Sequence, residues 1–460
     1  MQSLVHARYT GHFLHITDFH PDPHYLPAAD VRSACHRYVK RVDGIAGEYG
    51  SPGTKCDAPY TLVNATLQWI SSALKDQVDF VIWTGDNARH DNDRSLPRSE
   101  EEIFSLNEDM VRRVRNIFPT SIPIVPTIGN NDIYPHNVLF PGPNPTFSKF
   151  LSLWHHFIPE DQNHVFLHGG YFSRPIISRV LTVISLNTIF FYSNNGAVGG
   201  CRGKRDPGKE QLRWLRVQLE DARSHGTKVY IIGHVAPNRK LYYKKCFRLY
   251  ARIALTYQDV LIGQFFGHNN VDHFFFLSQE DTTKRRAIEG DGLASLDELL
   301  DHDANGDEGD QGEEVEEKEE EEWRKKDLKK ATEDQVKVKG LGGKKYLKKL
   351  RAQYKSVNKG SGNHSIIFTS PSVIPTYYPA LRLLHYDPGT GSLNGWSQYW
   401  CNLTQHNLDQ SQPTYHLEYD TAHAYGLTDL STPSMIHLAS RLAQENPLWR
   451  DFVQRFYVNM

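Results

Sequence analysis

Short, nearly unbroken apolar runs alternate with longer segments of helical periodicity through the first two-thirds of the chain. The runs lie at Phe13–Thr17, Phe80–Thr84, Ile122–Ile128, Leu181–Asn187, Val229–Ile232 and Ile262–Phe266. Runs this short and this apolar predict strands buried on both faces. Between them, Leu62–Lys75 and Glu100–Phe118 read as helices. Lys209–Arg223 is a third, with Leu212, Leu215 and Leu219 on one face and Trp214 nearby. Two more strands are expected around Ser365–Thr369 and Leu381–His385, and a helical stretch from Pro433 to Tyr457. Such strand–helix alternation predicts a layered α/β domain.

From about Glu280 to Gly362 the alternation stops. Asp301–Glu322 is almost solidly acidic, and Arg324–Lys355 is dominated by lysine and arginine. Charge blocks cannot bury apolar surface and are expected to stay disordered. The chain therefore divides into residues 11–280, a charged low-complexity insertion at 281–362, and 363–460 with the closing strands and C-terminal helical region. The charged segment reads as an insertion into one domain, not a linker between two. Within it, Asp301-His-Asp303-Ala-Asn305-Gly306-Asp307 looks like the start of an EF-hand loop. However, Gly312 stands at the twelfth position, where a bidentate Glu is required, and Glu308 at the eighth. A solvated acidic run is the better reading.

Composition narrows the class. The 460 residues carry a net charge of -2, with 39% hydrophobic and 12% aromatic side chains. That supports a sizeable core and argues against a general nucleic-acid binder. No apolar run reaches the roughly 18 residues of a membrane span. Met1–Thr10 has no apolar signal core, so the chain is expected to be cytosolic or to lack a leader or anchor. None of the five cysteines has zinc-finger spacing. Cys35–Cys56 and Cys201–Cys246 are candidate disulfides; five reduced thiols are the alternative. Sequons at Asn64, Asn363 and Asn402 lean modestly toward a secretory route.

Five short motifs share one location, directly after an apolar run. They are Asp18-Phe-His20, Gly85-Asp86-Asn87, Gly129-Asn130-Asn131-Asp132, Gly233-His234 and Gly267-His268-Asn269-Asn270. In open α/β sheets the carboxyl ends of strands converge on one crevice. Glycines allow the sharp turns that bring a ligand close. Asp, His and an Asn carbonyl suit hard or borderline divalent ions. A carboxylate bridging two ions about 3.5–4 Å apart would align an activated water or hydroxide for attack on phosphorus.

The order D-x-H, G-D-x, G-N-x, G-H, G-H-x-x resembles the calcineurin-like metallophosphoesterase superfamily. The spellings Ile16-Thr-Asp-Phe-His-Pro-Asp-Pro-His-Tyr25, Thr84-Gly-Asp-Asn-Ala-Arg-His-Asp91 and Gly267-His-Asn-Asn-Val-Asp-His-Phe274 are similar to fungal endopolyphosphatases, relatives of acid sphingomyelinase. The resemblance covers about residues 11–278 and resumes at about 364–402. It implies an α/β sandwich of two mixed sheets flanked by helices. It also implies two divalent ions (Mn, Mg, Zn, Co or Fe). Asp18 and His20 would bind the first, Asp86 would bridge, and Asn130, His234 and His268 would bind the second. Where the superfamily usually places a final His, this chain has Asn270, an amide ligand that favours a harder ion; His273 is expected to point elsewhere. The resemblance further implies the vacuole lumen, reached through an N-terminal anchor that this sequence does not contain.

A second departure concerns the reaction. Many relatives read G-N-H-E/D, with the His protonating a leaving alkoxide; here the position is Asn131. A phosphate leaving group, with a pKa near roughly 6, needs no such donor. Inorganic polyphosphate is thus the favoured substrate, and Asp86, Asn130, Asn131 and His234 the expected catalytic set. Arg89 and His90 are expected to clamp a phosphate, and Arg239, Lys240, Lys244, Lys245 and Arg248 to line an approach, as is the basic cluster Cys201–Arg205. The competing readings are a sphingomyelinase-like or nucleotide phosphodiesterase, with an apolar cleft, and a non-catalytic polyphosphate-binding protein.

Overall fold

A computed structural model describes residues 10–39, 44–283, 300, 343–357 and 363–460. The acidic run, the EF-hand-like stretch and the rest of the charged insertion lie outside the described residues. Each expected apolar run becomes a strand or holds one. Six strands form a first sheet in the order His416–Asp420, Leu393–Trp400, Ala380–Tyr386, Gly11–Ile16, Phe80–Trp83, Ile124–Pro126. A second sheet runs His273–Ser278, His364–Thr369, Leu261–Phe266, Lys228–Gly233, Leu181–Ser185, Phe172–Ile177. Both are mixed. Gly11–Ile16, Phe80–Trp83 and Ile124–Pro126 are mutually parallel. In the second sheet Leu181–Ser185, Lys228–Gly233 and Leu261–Phe266 are parallel.

The sheets pack face to face through aromatic rings. Phe13 stacks on Phe80 of its own sheet at 4.5 Å and meets Tyr230 and Phe265 of the other, each at 5.5 Å. These rings are fully buried, which accounts for the unbroken apolar runs. Strands from 363–460 enter both sheets, so the chain on either side of the insertion shares this core.

Helices cover the outer faces. Ser99 caps the helix Glu100–Ile117 by accepting from the Glu102 amide, and Asp206 caps Pro207–His225 in the same way through Lys209. The single helix expected at 433–457 is two, Thr432–Gln444 and Asn446–Phe456, broken at Glu445 just before Pro447. A second correction concerns the basic half of the insertion. Lys344–Val357 is a helix that buries Leu347, Leu350, Tyr354 and Val357. Its apolar residues recur at helical spacing behind the lysines that dominate the composition. Gln353 bonds the amide and carbonyl of Phe276, at 3.3 and 2.9 Å, closing the edge strand His273–Ser278.

Both candidate disulfides form, Cys35–Cys56 and Cys201–Cys246, and Cys401 is buried and free. Asn64 and Asn363 are exposed, whereas Asn402 is half-buried and caps a helix by accepting from Gln405. Among the described residues, no helix is long and apolar enough to cross a membrane.

Candidate metal centre

The five motifs leave the C-terminal ends of five parallel strands, three in the first sheet and two in the second, and meet where the sheets abut. Backbone bonds stitch them: Asp18 donates to the Gly85 carbonyl at 3.0 Å, His20 to Asp86 at 3.2 Å, and Gly267 to His234 at 3.0 Å. Asp132 joins two loops, accepting from the amides of Asp86, Asn87 and Gly129 at 2.6–2.9 Å. A side chain at Gly129 would collide with Asp86, and one at Gly267 with Thr17 and Asp18. Asp18, His20, Asp86, His268 and Asn270 all adopt positive φ, between 42° and 67°. Non-glycine residues rarely occupy that region, and clusters of them mark sites where the surroundings enforce strain.

Three ligand atoms from Asp18, His20 and Asp86 lie within 4.8 Å of one another, as do three from Asp86, His234 and His268. Asp86 belongs to both groups, the position a bridging carboxylate requires. The outward-facing atoms of these residues are fixed. His20 Nδ1 pairs with the Ala88 carbonyl at 2.8 Å and His234 Nδ1 with the Thr84 carbonyl at 2.7 Å, so both turn Nε2 inward. Asn130 Nδ2 donates to Asn137 at 3.0 Å, leaving Oδ1 2.9 Å from His234 Nε2. Asn270 Nδ2 donates to Thr376 at 3.2 Å. Asn131 Oδ1 and Asn270 Oδ1 are buried without a hydrogen-bond partner, and His20 Nε2 faces the carboxylates of Asp86 at 3.4 Å and Asp18 at 3.6 Å. Orphaned buried acceptors of this kind are costly unless something occupies them, and a divalent cation fits every atom presented.

The electrostatics agree. Burial opposes ionisation of Asp86, but the charges of His234 and His20 hold its carboxyl well below the usual range. Burial likewise opposes charge on His20, yet bonds to Asp18 and Asp86 raise its pKa well above the ordinary value. His234 is pushed up to about 9, Asp86 overcoming burial. His268 goes down to about 4 through burial and the neighbouring His234.

Above the cluster opens a cavity of about 330 Å³, lined by Asp18, Asp86, His90, Asp91, Asn92, Asn130, Asn131, His136, Asn137, Tyr192, Asn194, His268 and Asn270. Asn131 is committed to Asp86, which accepts from its backbone amide and from its Nδ2, both at 2.8 Å. His90 stacks on His20 at 4.0 Å, and Asp57 holds its Nδ1 at 2.8 Å. Arg89 is a correction: its guanidinium is fully buried and paired with Glu102 at 2.5 and 3.0 Å, so it faces away from the cavity. Among the described residues, no lysine or arginine lines the cavity, so Arg239, Lys240, Lys244, Lys245 and Arg248 are not in its wall, nor is Cys201–Arg205. Arg239 pairs instead with Asp281 at 2.9 Å. His273 bonds Tyr346 at 2.8 Å, away from the cluster. Sequence reading missed Asp57, His136, Tyr192 and Thr376, which belong to no strand-end motif. Asp132 was visible as the fourth residue of its motif, but not its role as a clasp.

Ligand-type residues converge on a shared carboxylate as a candidate metal centre, and the chain belongs to the calcineurin-like phosphoesterase family, whose pattern matches residues 11–272. The family implies divalent metal ions. Residues 363–460 match the acid sphingomyelin phosphodiesterase C-terminal region. The chain is 40% identical over 414 residues to an endopolyphosphatase of Cryptococcus neoformans, covering 82% of this chain and 58% of that protein. It is 36% identical over 459 residues to an endopolyphosphatase of Neurospora crassa, covering 91% and 58%. The corresponding Saccharomyces cerevisiae protein is 38% identical over 275 residues, covering 57% and 41%. The chain thus spans between 41% and 58% of the length of these curated relatives. Among solved structures, a dimetal phosphatase from Danio rerio aligns over 57% of this chain and 83% of its own, at 12% identity and a TM-score of 0.33.

Proposed function

We propose that this chain cleaves internal phosphoanhydride bonds of inorganic polyphosphate, using two divalent ions held by Asp18, His20, Asp86, Asn130, His234, His268 and Asn270. The observation that carries the reading is Asn131. Both its backbone amide and its side-chain amide donate to Asp86 at 2.8 Å. It positions the shared carboxylate and has no proton to give a leaving group. A reaction whose leaving group is already a good one tolerates that; departure of an alkoxide does not. The names of the relatives support the same substrate.

When bound, the ions supply an activated water and charge neutralisation on the phosphoryl oxygens. The chain's residues do the rest. Asn131 and Asp132 hold Asp86 and its loop, and Thr84 and Ala88 fix the faces of His234 and His20. His90, steadied by Asp57, borders the cavity as a candidate phosphate contact. Amide oxygens at Asn130 and Asn270 favour a hard ion such as Mg²⁺ or Mn²⁺ over a thiophilic one. The two disulfides and the exposed sequons Asn64 and Asn363 support a secretory compartment, the vacuole lumen by resemblance.

The test is product sizing on long polyphosphate with each divalent ion in turn, beside an alkyl phosphodiester. Intermediate-length products are expected, with little diester cleavage. Efficient diester cleavage would favour the second reading, a sphingomyelinase-like phosphodiesterase, which the match over 363–460 supports. A cavity wall built of Asp, Asn and His with one tyrosine is a poor seat for a lipid.

A further inference from the structure

A polyphosphate chain carries about one negative charge per phosphate unit, yet among the described residues the cavity wall holds three aspartates and no lysine or arginine. The chain beyond the reacting bond therefore needs cations elsewhere. The cluster after His234 is a weak candidate: Arg239 is paired with Asp281, and Lys244, Lys245 and Arg248 already have partners.

The helix Lys344–Val357 is different. It faces the core with Leu347, Leu350, Tyr354 and Val357, and leaves Lys344, Lys345, Lys348, Lys349 and Lys355 exposed. At 100° per residue the two sets fall on opposite sides of the helix, and Lys344, Lys348 and Lys355 lie nearly in line over roughly 16 Å. Among the described residues, none of the five forms an ion pair. Tyr354 anchors the helix, stacking on Phe274 at 4.9 Å and donating to its carbonyl at 2.6 Å. Its first turn reaches the end of the sheet from which the candidate ligands leave, because Tyr346 bonds His273 at 2.8 Å and His273 pairs with Thr369, which pairs with Phe266. His273 follows the candidate ligand Asn270 by three residues, a span of at most about 10 Å. A rigid basic face thus begins at the end of the sheet that carries the candidate centre.

We propose that this lysine face is a docking track for the polyphosphate chain outside the cavity, giving the enzyme its grip on long substrates. The inference rests on the polyphosphate reading above. It assigns the helix a binding role separate from the metal ligands. Contacts of this kind release counterions and weaken steeply with salt.

The test replaces all five lysines by glutamine in the whole chain, with a five-arginine control. The lysines are exposed and the buried face is untouched, so the helix is retained. Binding of long polyphosphate with the metals chelated is expected to weaken about tenfold or more at low salt, and its salt dependence to flatten. With metals present, KM for long chains rises about fivefold or more, while kcat and KM for tripolyphosphate stay within about twofold; the arginine control behaves as the parent. Unchanged binding assigns the face to the chain's own acidic run, Asp301–Glu322, or to solvent, and overturns the track. An equal rise in KM for tripolyphosphate also overturns it. A parent that fails to cut polyphosphate removes the functional reading instead, and the chelated binding measurement still decides the track.

Discussion

Two buried clusters of acids and histidines lie a few residues apart in this protein, and they have opposite bonding. In the first, His36 bridges two carboxylates, Asp22 at 2.8 Å and Asp93 at 3.0 Å. The remaining carboxylate oxygens are also used: Asp22 accepts from the His24 amide at 2.9 Å, and Asp93 from Ser95 and Arg37 at 3.0 and 3.1 Å. In the second, around Asp86, Asn131 Oδ1 and Asn270 Oδ1 are buried with no hydrogen-bond partner, and His20 Nε2 reaches the Asp86 and Asp18 carboxylates only at 3.4 and 3.6 Å. Density of ligand-type residues does not separate them; satisfaction does. A cluster that completes its own bonds is a structural clasp, here holding the Cys35–Cys56 loop to the segment around Asp93. A cluster built to leave atoms unpaired, on backbone at positive φ, is prepared for a cation.

The comparison breaks most directly at Asp86. Asp86→Asn keeps the shape but removes the charge shared by both groups. Turnover is expected to fall by about 10³-fold or more, with bound metal lost in elemental analysis and little change in Tm. Full metal content and near-normal turnover in the variant would place the centre elsewhere.

The next effect is on pH. In the metal-free protein burial opposes charge on both histidines, but the carboxylates of the site push His234 up to about 9 and raise His20 well above its ordinary value, which favours protons there. A cation must displace them, so its affinity rises as pH rises toward 9, by about tenfold per unit for each proton displaced. Calorimetric titrations across pH 6.5–9 in buffers of different ionisation heat would measure the released protons. A flat profile would contradict the arrangement.

On the paired side, Glu102→Gln leaves the fully buried guanidinium of Arg89 without its countercharge. Stability should drop by about 2–3 kcal/mol in urea unfolding, with KM for polyphosphate unchanged. A KM effect without a stability effect would restore Arg89 as a phosphate clamp.

The smallest effect belongs to His36. Burial opposes its charge, but Asp22 and Asp93 raise its pKa. Its contribution is therefore full below the unfolded value of about 6.5 and is lost as pH rises through the raised folded value. His36→Gln should cost about 2 kcal/mol at pH 5.5 and progressively less at high pH, with kcat for tripolyphosphate unaltered. A cost that grows with pH would reverse the assignment.

Much of the candidate site was legible because its residues follow strands, and strands buried on both faces announce themselves as apolar runs. Asp18, His20, Asp86, Asn130, His234, His268 and Asn270 each sit within four residues of such a run, so chain order alone suggested their convergence. The lysine-rich helix was missed for the converse reason. Its apolar positions, Leu347, Leu350, Tyr354 and Val357, are local and periodic but sparse among charges, and only the edge strand beneath gives them something to bury against.

What the sequence by itself determined was the inventory: an α/β layering, five ligand motifs at strand ends, and Asn131 in place of a proton donor. These are properties of neighbours along the chain, set by side-chain chemistry and hydrophobic period. The tertiary structure decided the pairings. It turned Arg89 away from the cavity to Glu102, laid Asn131 across Asp86 and set His234 of one sheet 2.9 Å from Asn130 of the other. It also left Asn131 and Asn270 with open acceptor oxygens while giving His36 two carboxylates. Whether a buried polar atom is satisfied depends on residues far away in sequence, because only sheet order and packing bring them within bonding distance.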